Sequence, residues 1–303
     1  MPDTMPHDHD HLTRFLLPHA GVRGVRVHLD DAWRQVRKRA EAEANHPAAV
    51  VELLGEATAA AALFTGHAKV EGRLSVQLRG NGPLRTLFAE CTAAGTVRGI
   101  AQVEGDGPLS RDLRALGDGA IMAITIENPA PGGREPIRYQ GLVPLEADSL
   151  AGAFEDYFRQ SEQLPTRLLL AAGDQAAAGL MLQKLPGDSG DDDGWNRATA
   201  LFDTLGGDEL LALPADTLLR RLFHEEGVEL LGGRPLAFGC SCSRDRVSAM
   251  FQGLGEEEAN AAAAEGEALV RCEFCGEQYR YSPDEITALF EPRPTAEGSD
   301  RLQ

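Results

Sequence analysis

A chain of 303 residues with 43% hydrophobic and 25% charged residues is long enough for a large core and for more than one domain. Its 29 Lys and Arg stand against 47 Asp and Glu, a formal charge of −18. That balance argues against a nucleic-acid partner or an anionic membrane surface, where a basic patch is the electrostatic requirement. No apolar run reads as the roughly 20 residues of a transmembrane helix. The opening MPDTMPHDHDHL lacks the charged-then-apolar order of a signal peptide. A cytoplasmic protein with no membrane partner is expected, in which thiols stay reduced.

Residues 1–12 read as a disordered tail, with His7, His9 and His11 alternating with Asp; adventitious metal affinity is the most this pattern implies. An N-terminal α+β core domain is expected over 13–186. In VRGVRVHL, Val25, Val27 and Leu29 alternate with Gly24, Arg26 and His28, as in a half-buried strand. Asp30 and Asp31 offer a cap for a polar helix running to about Ala44, and His46-Pro47 ends it. A second helix, rich in Ala and Leu, is expected from Ala48 to about Gly66. From Arg73 to Leu145 the texture is β, with RLSVQLRG and VRGIAQVE alternating. GNGP and GDGP suggest repeated hairpin turns; neither has the third glycine of a dinucleotide-binding loop. Asp148 or Ser149 can cap a helix that carries Leu150, Phe154, Tyr157 and Phe158 on one face. SEQLPTR then leads into two apolar segments that close the domain, and it contains no nucleophile–base pair. Strands in a row, bracketed by helices, point to α+β rather than to βαβ repeats.

GDSGDDDG opens an acidic spacer and helical linker, expected over 187–231. Trp195, Phe202 and Leu205, then Leu218, Leu222 and Phe223, form apolar stripes on helices broken by Gly and Pro. Each helix is shorter than the ~12–15 residues an isolated helix needs, so the segment must lean on a neighbour. It is either an ordinary helical subdomain or a conditional one, folded only while that neighbour is folded.

The last four cysteines define a small C-terminal domain, expected over 232–290, with 291–303 a disordered tail. Cys240 and Cys242 form a C-x-C pair, and Cys272 and Cys275 a C-x-x-C-G knuckle. Four thiolates suit one tetrahedral zinc ion per chain. Such a centre is an inert staple or a redox sensor, because bound thiolate is already deprotonated and open to oxidants. SRDRVSAMFQGL reads as a helix with Val247, Met250 and Phe251 inward, and EEEANAAAAEGEA as exposed. From Cys240 onward six Lys and Arg face thirteen Asp and Glu, unlike a DNA-reading finger. With few large apolar residues, the module is expected to draw much of its stability from the metal. Cys91, in LRTLFAECT, reads as a buried, inert thiol.

RFLL with VRGVRVHL, VRGIAQ, YQGLVPL, YFRQSEQLPTR, GLMLQKLP and the C-x-C…C-x-x-C set, in that order, resemble the 33 kDa chaperonin family of redox-regulated heat-shock holdases. The resemblance covers nearly the whole chain, and SEQLPTR and the uneven cysteine pairs are its specific parts. The histidine-bearing N-terminus and low lysine content depart from the family pattern and touch no cysteine. The resemblance implies a non-enzymatic, ATP-independent chaperone, inactive when reduced and zinc-bound. It implies that oxidation pairs Cys240 with Cys242 and Cys272 with Cys275, releases zinc, and unfolds the C-terminal module and linker. Unfolding client proteins would then bind exposed apolar surface, for which Trp195, Phe202, Leu205, Leu218, Leu222 and Phe223 are candidates, with a homodimer as the active form. A thiol–disulfide oxidoreductase built on Cys272-Glu-Phe-Cys275 and a passive zinc-ribbon interaction module are the competing readings.

Overall fold

The computed structural model describes residues 9–43, 46–105, 107, 109–117, 119–187 and 190–291. The chain is of mixed α+β class and divides after Cys240 into a large unit and a small one.

The large unit is built from β1 (His11–Leu17), β2 (Val22–Leu29), α1 (Asp31–Glu43), α2 (Ala48–His67), β3 (Arg73–Arg79), β4 (Leu84–Thr92), β5 (Thr96–Val103), β6 (Ile121–Asn128), β7 (Ile137–Val143), α3 (Leu150–Tyr157), β8 (Thr166–Ala172), β9 (Ala177–Lys184), α4 (Gly194–Phe202), α5 (Gly207–Ala212), α6 (Ala215–Phe223), β10 (Glu229–Pro235) and β11 (Ala237–Phe238). Two sheets form, in the orders β10-β1-β2-β9-β8 and β11-β5-β4-β3-β6-β7. All neighbours are antiparallel except β11 and β5.

Helix α2 lies between the sheets, touching β2, β8 and β9 of one and β3, β4 and β5 of the other. It is buried from Leu53 to Thr65. By length and composition it could cross a membrane, contrary to the reading that no such run exists, but most of it is enclosed in this core. Its alanines let the sheets approach closely, and Thr58 and Thr65 return their hydroxyls to the helix carbonyls of Leu54 and Ala61, each at 2.7 Å. Leu74, Val76 and Leu78 of β3 face it, as their alternation requires.

The second face of the five-stranded sheet is covered by α4, α5 and α6. Phe15, Leu17, Val22, Leu180 and Leu182 from the sheet meet Phe202, Leu205, Leu218, Leu222 and Phe223 from the helices in one cluster. Strand β2 is therefore buried on both faces, not half-buried. Arg26 is 1% exposed, and its guanidinium donates to the Leu213 carbonyl beyond the end of α5. Gly24 is required by close approach: a Cβ there would lie 2.1 Å from Phe15 Cζ. With that space the Phe15 ring lies over its cross-strand partner and stacks on Phe223 at 6.3 Å.

Several expectations are corrected. The tail does not reach residue 12: β1 begins at His11, and the Asp10 carboxylate accepts the Asp30 and Ala32 N–H groups at 2.8 and 3.0 Å. His9 pairs with Asp30, while His7 lies outside the described residues. Ala44, the expected end of α1, also lies outside them. GNGP joins β3 to β4, but after β5 the chain crosses to β6 beside β3, so β5 and β6 do not pair; Asp106 and Pro108 of GDGP lie outside the described residues. The acidic stretch is tied to the first domain. Asp191 N–H donates to the His19 carbonyl at 3.1 Å, and Arg197 bridges Asp191 and Glu226. Residues 232–240 belong to the large unit, because β10 pairs with the β1 edge and β11 with the β5 edge. Residues 292–303 lie outside the described ones.

The small unit contains α7 (Arg244–Leu254), α8 (Glu256–Ala262), β12 (Ala268–Arg271), β13 (Gln278–Tyr281) and α9 (Pro283–Ala288). Its buried core is Val247, Phe251, Ala259, Ala263, Ala268, Tyr281 and Ile286. The alanine-rich stretch is thus not wholly exposed, since Ala259 and Ala263 are buried in this core. Met250 points out instead, at 44% exposure. Ser282 and Glu285 form a capping box on α9.

Glu56 is a titratable group inside the main core. Burial pushes its carboxyl up to about 7, and the Arg111 guanidinium beside it offsets only part of that cost. The folded value lies above the unfolded glutamate value of about 4.3, so the folded protein holds this proton more tightly. The contribution is complete below the unfolded value and is lost as pH rises through 7. Between pH 4 and 8 the wild-type protein should lose up to about 3 kcal/mol of stability relative to Glu56→Gln, read by urea denaturation. Parallel pH dependence in the two proteins would show that this carboxyl is not desolvated.

Candidate metal centre and linker surface

The C-x-C pair follows directly from the large unit's last strand. Gly239 N–H donates to the Val97 carbonyl at 3.1 Å, continuing the register of β11 on β5. Arg98 of β5 then directs Nη1 at Cys240 Sγ, 3.8 Å away. Cys272 and Cys275 occupy the turn between β12 and β13. There Gly276 N–H donates to the Cys272 carbonyl and Cys272 N–H to the Glu277 carbonyl, both at 2.8 Å. Gly276 has φ +74°, the left-handed geometry that lets the chain turn under a ligand and costs a residue with a Cβ about 1–2 kcal/mol.

The ligand atoms of Cys240, Cys242, Cys272 and Cys275 all lie within 4.8 Å of one another, so the four cysteines could hold a metal ion. Cys242 and Cys275 sulfurs are 3.3 Å apart. Four sulfurs each about 2.3 Å from a tetrahedral metal stand about 3.8 Å apart, which fits sulfurs that all lie within 4.8 Å of one another. The donor set is soft, and Tyr279 Oη donates to Cys242 Sγ at 3.2 Å, so a second group orients this sulfur. That hydrogen bond, followed by burial, raises the Tyr279 pKa and keeps the phenol a donor. Sequence reasoning missed both Tyr279 and Arg98. Tyr279 carries a faint signal in its place four residues after Cys275; Arg98 lies 142 residues before its sulfur and carries none.

The C-x-x-C pair sits in a turn between antiparallel strands and not at a helix N-terminus, so it lacks the helix field that activates many redox thiols. Cys91 is apart from the cluster. It is buried in β4, and burial pushes its thiol up to about 11.

The six linker residues are brought onto one surface, but an occupied one. Phe202, Leu205, Leu218, Leu222 and Phe223 are buried in the cluster on the five-stranded sheet, with Trp195 half-buried at its border. Their neighbour is thus the sheet of the large unit. The helices are weakly terminated: α5 and α6 start at Gly206 and Pro214, which provide no side-chain cap. SEQLPTR acquires a structural role here. After a π turn at Phe158–Glu162 and a left-handed Gln163, with φ 56°, it places Arg167 between Glu155 and Asp203. Arg167 also lies 5.9 Å from the Phe202 ring centroid, so this strand clamps the first linker helix.

The family model described as Hsp33 protein matches residues 10–282. The chain is 40% identical to the 33 kDa chaperonin of Chromobacterium violaceum over 285 residues, covering 93% of this chain and 94% of that protein. It is 41% identical to the 33 kDa chaperonin of Nitrosococcus oceani over 282 residues, covering 93% and 94%. The fold is similar to the crystal structure of the 33 kDa chaperonin from Thermotoga maritima, with a TM-score of 0.74 and 23% identity over 93% of this chain and 98% of that one.

The geometry separates the thiols chemically. Iodoacetamide at pH 8 on native, chelator-treated protein should alkylate Cys240, Cys242, Cys272 and Cys275, and reach Cys91 at least ~100-fold more slowly, its thiolate being scarce at that pH and shielded. Labelling of Cys91 at the rate of the others would contradict its burial.

Proposed function

The chain belongs to the Hsp33 family, and from that premise we propose a redox-regulated, ATP-independent holdase that captures unfolding proteins during oxidative stress in the cytoplasm. Its chaperone character accords with the naming of its relatives as chaperonins. The observation that carries the redox part is the cluster of four sulfurs, held beside a unit with so small a core.

In the reduced protein Cys240, Cys242, Cys272 and Cys275 would bind one zinc ion. Bound zinc supplies folding free energy to such modules, on the order of 10 kcal/mol. On oxidation Cys240 with Cys242, and Cys272 with Cys275, each give two electrons to a peroxide-class oxidant and form a disulfide. The thiolate ligands are thereby consumed and the small unit loses its staple. The route to the linker runs back along the chain. β11 is a two-residue strand and β10 a largely exposed edge strand, and together they join Cys240 to α6. Edge elements with few buried contacts open first. Release of β10 frees one end of the cover on the five-stranded sheet, and the Phe202, Leu218, Leu222 and Phe223 surface, with its counterpart on the sheet, becomes available to clients. A homodimer is the proposed active form. A thiol–disulfide oxidoreductase is less well supported, because its C-x-x-C sits in a strand-to-strand turn.

Two experiments test this reading. Light scattering of a thermally unfolding client should fall with peroxide-treated protein and not with reduced protein; equal behaviour of the two forms would overturn redox control. Replacing Leu218, Leu222 and Phe223 with polar residues removes about 1.5–3 kcal/mol of burial at each position. That variant should suppress aggregation partly without oxidant. If it is silent when reduced and activates normally when oxidised, the linker is not the switch.

A further inference from the structure

Cys240 is approached by an arginine of the six-stranded sheet. A row of alternating charges runs across the outer face of the six-stranded sheet. Arg98 on β5 pairs with Glu90 on β4 at 2.9 Å. Arg73 on β3 approaches Glu90 at 3.7 Å and also pairs with Glu127 on β6. Arg138 on β7 closes the row on Glu127. Arg98 and Glu90 are directly opposed in the β4–β5 register and both are buried, at 9% and 5% exposure. A buried guanidinium fixed by a carboxylate on one side presents its remaining N–H groups in a set direction. Here Nη1 is directed at Cys240 Sγ, 3.8 Å away, while the backbone before that cysteine is tied to Val97.

We propose that Arg98 is a positioning residue for the metal centre: it anchors the Cys240 thiolate to the six-stranded sheet, with Glu90 orienting Arg98 in turn. This rests on the reading of the four cysteines as zinc ligands. A sulfur that accepts an N–H from a fixed cation is held in place and carries its negative charge at lower cost. Cys242, by contrast, accepts its hydrogen bond from the neutral Tyr279 phenol. Arg98 thereby makes retention of the Cys240 ligand a property of the large unit, and loss of that bond is the earliest point at which changes at the sulfur can be felt by β5 and β11.

The test measures zinc leaving the reduced, full-length protein to a chromophoric chelator without oxidant, so it does not depend on chaperone activity. Arg98→Met alone strands the buried Glu90 carboxylate and can unfold the sheet, so the decisive variant is Arg98→Met with Glu90→Gln, compared with Glu90→Gln alone and with Arg98→Lys. We expect the double variant to release zinc about tenfold faster than Glu90→Gln, and Arg98→Lys to recover part of the difference, with all variants keeping the wild-type far-ultraviolet circular dichroism. Equal release from the double variant and Glu90→Gln would overturn the proposal and leave Arg98 as the structural partner of Glu90. If the wild-type protein carries no zinc, the function proposed above fails on its metal. The anchoring is then read by peptide-resolved alkylation: the ratio of Cys240 to Cys242 labelling should change several-fold between Glu90→Gln and the double variant, and an unchanged ratio would overturn it.

Discussion

The five-stranded sheet has two faces to bury and two different means of burying them. One face meets α2, a 20-residue helix enclosed by a second sheet. The other meets three helices of nine, six and nine residues. Helices of that length do not stand alone in water, so their order depends on the sheet, and the sheet's second face depends on them. The apolar surfaces on both sides are large enough that neither can be left open in a monomer without cost. This mutual dependence gives the sheet one face enclosed by a second sheet and one covered by short helices that rely on it.

The cover also encloses polar groups that do not favour it. Arg26 is buried beneath it with its charge, bonded to the carbonyl that follows α5, and His28 stands beside it next to Asp30. Burying a cation costs free energy that hydrogen bonds offset only in part. Opposing this are the Phe15–Phe223 stack, the Leu180 and Leu182 contacts, and the Arg197–Glu226 and Arg167–Asp203 pairs at the rim. In the α2 core Ala, Leu and Val dominate, and Glu56 is the buried ionisable group.

The small unit is the other extreme. Its core holds one phenylalanine, one tyrosine and one isoleucine together with valine and alanines. Such a module gains from any crosslink that gathers its ends, and four sulfurs within 4.8 Å provide the donors. The boundary of the large unit falls inside the C-x-C pair, so Cys240 belongs to the large unit and Cys242 to the small one.

What the sequence by itself determined is what local geometry and local chemistry decide. The four cysteines and the knuckle glycine, the alternation in β3, the Ser149 cap of α3 and the amphipathic stripes from Trp195 to Phe223 are all written in spacings of a few residues. The class of fold and the family resemblance follow from such stretches in order. What only the tertiary structure decided is which surface meets which. The stripe showed that the linker needed a partner, yet its partner is a sheet face made of residues 15 to 22 and 178 to 182. Arg26 reads as the polar side of a half-buried strand until that cover is in place. β10 joins β1 across more than 200 residues of chain, which moved the expected domain edge from 232 to 241. Arg98 reaches Cys240 only because β11 lies along β5. Periodicity reports that a face is apolar; only long-range pairing, whose partners leave no mark in local spacing, fixes what covers it.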